Sequence, residues 1–302
     1  TIVNEVKATG HATDVIRRRY LKKLQAITKR NVIIYYSGWL QKRNQPGVPM
    51  DFGINDTDKN GLMSVIHKLD RNAGLDLLLH TPGGDMSATE SIIDYLRQMF
   101  GTNIRAIVPQ IAMSGGSMIA CACKEIVMGL HSNLGPFDPQ IQGMPAQAIK
   151  EEFERAGNEM SQNQSKAFLW QPIIQKYPLG FVTQIQHAIA MAETVVRQNL
   201  TNCMFHGDPD AAQKVQTILN ELGSNRATQT HSRHIHKAKA RDIGLKIVDL
   251  ESDQKLQDAV LSVHHAAMIT FEQSGALKII ENHLGSSYMQ VQNMIVAAPL
   301  QP

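Results

Sequence analysis

Ser114 is the residue whose type and setting most invite chemistry. It sits in Ile111-Ala-Met-Ser-Gly-Gly-Ser-Met-Ile-Ala120, and a second glycine turn, His80-Thr-Pro-Gly-Gly84, precedes it. Each turn closes an apolar, strand-like run (Asp76-Leu-Leu-Leu-His80 and Ile104-Arg-Ala-Ile-Val-Pro109) and opens a helix-like one. A serine on a tight strand-to-helix turn has its hydroxyl lifted clear of the backbone and its neighbouring amides unpaired, and such amides suit an oxyanion. Two such turns side by side place a nucleophile on one and an amide-lined cradle on the other, the layout of an acyl-transfer site. An isolated Ser-Gly-Gly would be no more than a packed turn; the strand before it, the small-residue helix after it and the paired Pro-Gly-Gly turn give it weight. The GxSxG elbow of α/β hydrolases is absent, because Ile111 or Ala112 stands where a glycine is needed.

The elements that must position these turns alternate between strand and helix. Asn31-Val-Ile-Ile-Tyr-Tyr36, Leu75–His80, Asn103–Pro109 and Glu125-Ile-Val-Met128 read as buried strands. Helices are predicted over 6–29, 59–72, 118–123, 145–155, 181–200 and 211–222, and one more opens at the capping-box pattern Ser87-Ala-Thr-Glu90. Residues 37–57 form a long loop, 157–165 a polar stretch expected to be mobile, and 245–250 a further strand. Two closing helices are expected over 253–273 and 276–284. Strands joined by short helical crossovers imply a mostly parallel sheet, with its ligand site at the strands' carboxyl ends, where both glycine turns fall.

The paired segments His80-Thr-Pro-Gly-Gly84 and Ala112-Met-Ser-Gly-Gly116 resemble those of the Clp/crotonase-fold serine peptidases. Among these the chain is most similar to signal peptide peptidase A and its relatives, the serine dehydrogenase proteinase (SDH proteinase) family. Leu134-Gly-Pro-Phe-Asp-Pro-Gln140, Thr230-His-Ser-Arg-His234 and Glu281-Asn-His-Leu-Gly285 carry that last likeness. The resemblance implies an α/β fold, a Clp/crotonase-like spiral of ββα units with added N- and C-terminal helices. It implies Ser114 as nucleophile, the amides of Gly84 and Gly115 as oxyanion hole, and a lysine as base. The domains then read as a basic N-terminal helix (1–30), the peptidase domain (31–250) and a C-terminal helical extension suited to oligomerisation (251–302).

The base is where alternatives remain open. Lys166 stands where the resemblance puts the lysine of the dyad, with apolar neighbours in Ala167-Phe-Leu-Trp170 that could desolvate it; Lys176 and Lys150 are its rivals. A Clp-type catalytic histidine would fall near Asp138, so that residue is expected to orient the base or, with Gly83, to contact substrate. His131 is a further candidate base. His231, His234 and His236 invite a metal reading, which fails on their alternation and the lack of a carboxylate at a fitting offset.

Composition sets the outer bounds. The chain has 302 residues, 43% apolar and 19% charged, with a net charge of +3, which does not favour bulk nucleic-acid binding. No apolar run reaches the roughly 18 residues that span a bilayer, and the expectation is a cytoplasmic protein with buried thiols at Cys121 and Cys123. No cofactor or metal is expected, and no Walker loop occurs. The reading is a serine protease acting on extended, unfolded or membrane-derived polypeptides, working as a homo-oligomer, with a membrane protein or ATPase as possible partner. A crotonase-like acyl-CoA enzyme and a non-catalytic peptide-binding scaffold are the alternatives.

Overall fold

The computed structural model describes residues 2–8, 13–42 and 51–292. Its centre is a seven-stranded sheet, in spatial order Ile247–Asp249, Glu125–Met128, Ile104–Val108, Leu75–His80, Asn31–Ser37, Ala276–Asn282 and Ser287–Val291. The first five are mutually parallel, each joined to the next in the chain by a long crossover that contains helix, and the last two form an antiparallel hairpin against Asn31–Ser37. Both faces are covered. Helices Thr57–Ile66, Met86–Phe100 and Gly115–Cys121 pack on one, while Thr13–Thr28 and Gln254–Gln273 pack on the other. This explains why Val32 to Tyr36 and Leu75 to His80 are buried without alternation.

A second ladder of short pairings crosses the carboxyl ends of the parallel strands. Ile54 bridges Gly84, Thr81 bridges Ala112, and Ile111–Ala112 pairs with Asn133–Leu134, which pairs in turn with Ile235–His236. It ties the two glycine turns together, since the Met113 amide donates to Thr81 O at 3.0 Å.

Several expectations need correction. Residues 276–282 form a strand, not a helix. Lys278 and Glu281 make the segment look amphipathic, but both are buried and paired, Lys278 with Asp58 and Glu281 with Arg17 and Arg18. The polar stretch at 157–165 largely continues the Ala146–Gln162 helix. The helix after the first glycine turn begins at Met86, capped by the Asp85 carboxylate, which accepts the Ala88 amide at 2.8 Å; Ser87 is not its cap. Of the N-terminal helix expected over 6–29, the described residues show Ile2–Ala8 and Thr13–Thr28; 9–12 lie outside the described residues, as do 43–50 of the long loop and 293–302 of the expected extension. Leu21 and Leu24 are buried against Val260 and Val263, so these two apolar faces cover each other within one chain. Among the described residues no helix is long and apolar enough to cross a membrane.

Candidate active site

Ser114 occupies a backbone conformation that side chains avoid, φ 50° and ψ −117°. It persists because its surroundings over-determine it. Met113 is pinned to Thr81, the Gly116 amide donates to Met113 O at 2.8 Å, and the Met118 amide donates to Ser114 O at 3.1 Å. The Ser117 hydroxyl donates to Ala112 O at 2.8 Å and accepts the Gly135 amide at 2.9 Å, locking the turn to the segment that follows the next strand.

The first glycine turn lies directly against it. Gly83 has φ 91°, and a Cβ there would stand 2.5 Å from the Ser114 Cβ, so only glycine allows the approach. Gly84, with φ 159°, is pressed so closely on Ile54 that a Cβ would overlap the Ile54 nitrogen. Among the described residues no acceptor engages the amides of Gly84 or Gly115, and both residues line one cavity with Ser114. Two free amides flanking a raised serine can receive a developing oxyanion. Gly83 is not free in the same way, because its carbonyl accepts the Ile54 amide at 2.8 Å and its amide donates to Thr81 Oγ1 at 3.2 Å.

The cavity measures about 440 Å³. Asp85 and Met86 bound it on the glycine-turn side, Ala188 and Met191 of the Phe181–Asn199 helix on another, and Met118 and Phe137 supply further apolar wall. Asp138 and His231 also line it, and they are hydrogen-bonded to each other, His231 Nδ1 to Asp138 Oδ1 at 2.8 Å. Asp138 is 1% exposed, and its other oxygen accepts from Gln140 Nε2 at 2.9 Å and from Asn225 Nδ2 at 3.5 Å. A carboxylate can only accept, so Nδ1 carries the proton, and Nε2 is left as the basic nitrogen of the ring.

The lysines lie elsewhere. The Lys166 ammonium meets Glu159 Oε2 at 3.1 Å with its side chain 43% exposed, and Lys166 is not among the residues lining the cavity. The Trp170 indole N–H donates to the same Glu159 oxygen; with Lys166 it holds the Glu159 carboxyl below the usual range. Lys150 faces Glu154 at 3.8 Å on its own helix, and Lys176 is exposed. His131 is exposed beyond the Glu125–Met128 strand, and His234 and His236 are exposed too. Among the described residues no three histidines, cysteines or carboxylates converge as a metal site. Cys121 and Cys123 are buried, and burial pushes the Cys121 thiol up to about 12.

Ser114, Gly84, Gly115, Gly83 and Asp138 are therefore brought together, and Lys166 is not. His231 is a titratable group of the cavity that the sequence does not single out. It is remote from Ser114 in the chain and reads locally as one of several neighbouring histidines; the one pointer is its place in Thr230-His-Ser-Arg-His234.

Comparison with known proteins places the chain in a family. The chain is 30% identical over 201 residues to the uncharacterized protein MJ1495 of Methanocaldococcus jannaschii, covering 67% of this chain and 61% of that protein. It is 34% identical over 201 residues to MJ0137, another uncharacterized protein of that organism, covering 67% and 63%. It thus spans somewhat under two thirds of the length of each relative. The family model described as ClpP-like SDH-type serine proteinase matches residues 6–260. With a match over most of its length, the chain belongs to the ClpP-like SDH-type serine proteinases.

Proposed function

We propose that this protein is a serine endopeptidase in which Ser114, His231 and Asp138 act as nucleophile, base and base-orienting carboxylate. His231 Nε2 takes the Ser114 proton as Oγ attacks the scissile carbonyl, and the amides of Gly84 and Gly115 receive the tetrahedral oxyanion. Nε2 then gives its proton to the leaving amine as the C–N bond breaks. Water, deprotonated by the same nitrogen, releases the acyl group from Ser114. Asp138, accepting from Nδ1–H, keeps the ring in the tautomer that leaves Nε2 free to accept the serine proton. The observation that carries this reading is the 2.8 Å His231–Asp138 hydrogen bond in the cavity that also holds Ser114.

The dyad expected with Lys166 gives way to this arrangement because Lys166 faces Glu159 outside the cavity. The repeated pairing of each long strand's continuation across the second ladder supports a Clp/crotonase-like spiral of ββα units. The substrate is an extended polypeptide whose carbonyl reaches the Gly84 and Gly115 amides; the Gly83 main chain, already paired with Ile54 and Thr81, is left out of that contact.

The test is labelling with a fluorophosphonate and mapping of the modified residue. Modification of Ser114 in the wild type, lost in His231→Ala and kept in Lys166→Ala, is expected. Labelling that needs Lys166 and not His231 would restore the lysine dyad. Turnover of an acyl-CoA thioester by Ser114→Ala would favour a crotonase-like enzyme, which needs no serine there. Self-association is a further part of the proposal, supported by the exposed Phe168 and Leu169 on the Ala167–Ile174 helix and the exposed Leu179 in the turn before Phe181–Asn199; a monomer by light scattering would remove it.

A further inference from the structure

The Gly84 amide is held by a strap whose anchor is a buried ion pair. Residues 52–55 cross behind the first glycine turn. The Ile54 amide donates to Gly83 O and Ile54 O accepts the Asp85 amide, both at 2.8 Å, so two hydrogen bonds bracket Gly84. With Gly84 in van der Waals contact with the Ile54 backbone, the position of that amide follows the position of Ile54.

Ile54 is held in turn through its neighbours. Phe52 O accepts from the Ser37 hydroxyl at 2.8 Å, Gly53 O accepts from Lys278 Nζ, and the Asn55 amide donates to Asp58 Oδ2 at 3.0 Å. Lys278 Nζ lies 3.0 Å from both oxygens of Asp58, and the Tyr35 hydroxyl donates to Asp58 Oδ2 at 2.6 Å. The side chains of Lys278 and Asp58 are 1% and 0% exposed. A buried ion pair is a poor way to gain stability, since a well-packed apolar pair of the same volume does as well or better. It does give directed hydrogen bonds to backbone atoms on either side of Ile54.

We propose that Lys278 and Asp58 are positioning residues for the oxyanion hole, setting the Gly84 amide through the 52–55 strap. The proposal rests on the reading of Gly84 as an oxyanion donor. A donor displaced by a fraction of an ångström loses much of its value in the transition state, and deleting a whole donor costs about 10²–10³ in rate. Slack in the strap should cost less, about 10- to 100-fold.

The test compares the wild type with Lys278→Met/Asp58→Leu, which removes both charges together and leaves neither buried alone. Two readouts are taken: the fluorophosphonate reaction at Ser114, resolved into its maximal rate and half-saturating concentration, and amide exchange over residues 83–86. The double variant should stay folded, with its thermal midpoint within about 5 °C. Its maximal rate should fall about 10- to 100-fold with half-saturation changed less than about threefold, and exchange at 83–86 should quicken while 104–108 stays protected. A folded double variant with unchanged rate and unchanged exchange overturns the proposal. Quickened exchange in a protein whose wild type is never labelled at Ser114 overturns the catalytic reading instead and leaves the strap's anchoring role standing. Should the double variant not fold, Tyr35→Phe removes the hydroxyl that donates to Asp58 Oδ2 and loosens the anchor itself; faster exchange at 83–86 with a slower maximal rate supports the proposal, and no change in either overturns it.

Discussion

On one side of the central sheet His231 lines a cavity of about 440 Å³ and shares its Nδ1 with a carboxylate that is 1% exposed. On the other side His80 and His264 lie among aromatic rings under the Gln254–Gln273 helix. The His80 ring centroid is 4.4 Å from that of Trp39, 5.3 Å from His264 and 5.4 Å from Tyr36, and among the described residues neither His80 nitrogen has a hydrogen-bond partner. His264 has one weak polar contact, Nδ1 to the Tyr36 hydroxyl at 3.3 Å. Burial pushes the His264 imidazole down to about 3 and that of His80 well below its ordinary value. The same side chain thus faces a cavity with its tautomer set by a buried acceptor in one place, the setting our proposal requires of a base, and packs as an apolar ring among aromatic neighbours in the other.

The comparison breaks most sharply on activity. Ser114→Ala and His231→Ala are each expected to lower kcat by about 10⁴–10⁶-fold, the range seen when a nucleophile or its base is removed from such a triad. His264→Phe should leave kcat within about twofold. A His264 variant that folds but fails to cleave would show that the two faces are not functionally separate.

Asp138→Asn sharpens the point with a smaller effect, about 10⁴-fold or somewhat less. An amide can donate to Nδ1 and so stabilise the tautomer with its proton on Nε2, which cannot accept from Ser114. Gln140 and Asn225, which both donate to the other Asp138 oxygen, would keep the new amide from turning freely. Cleavage measured beside an unchanged circular dichroism spectrum checks this; near wild-type kcat would remove Asp138 from the mechanism.

How legible this was depended on what each part is made of. The Ser114 and Gly83–Gly84 turns are built from backbone, and backbone geometry writes itself into sequence as glycines at fixed places between strand-like and helix-like runs. The parallel strands were legible for a similar reason, as unbroken apolar runs buried on both faces. The 276–282 strand was not, because Lys278 and Glu281 are paid for by partners distant in the chain, Asp58 and Arg17. His231 failed for the same cause: its meaning lies in Asp138, which only folding brings within 2.8 Å. Where a polar residue's role is set by a remote partner, local pattern reads it as surface.

The packed histidines predict a pH dependence of stability. Their folded-state values are depressed, so the unfolded chain binds more protons once the pH falls below about 6.5. Stability is fully present above that point and declines as the pH drops toward the folded value of about 3 for His264. From pH 6.5 to 5 each such ring should cost about 2 kcal/mol. Denaturant unfolding across this window should show the loss, and His264→Phe should remove about half of the part owed to these two rings. A flat profile in the wild type would mean that His80 and His264 find proton acceptors in the folded state.

The smallest expected effect belongs to Lys166→Ala, and its smallness is informative. The Lys166 side chain is 43% exposed and that of Glu159 33%, and an ion pair so open to solvent is screened and adds little to stability. Glu159 keeps the Trp170 indole as a donor when the lysine is gone, so the junction between the Ala146–Gln162 and Ala167–Ile174 helices retains its polar tie. Neither stability nor kcat should then change by more than about twofold in the corresponding equilibrium or rate. A large loss of kcat with unchanged folding would mean that this hairpin swings its lysine into the cavity during turnover. The division between the proposed catalytic histidine and the packed ones would then lose its first member.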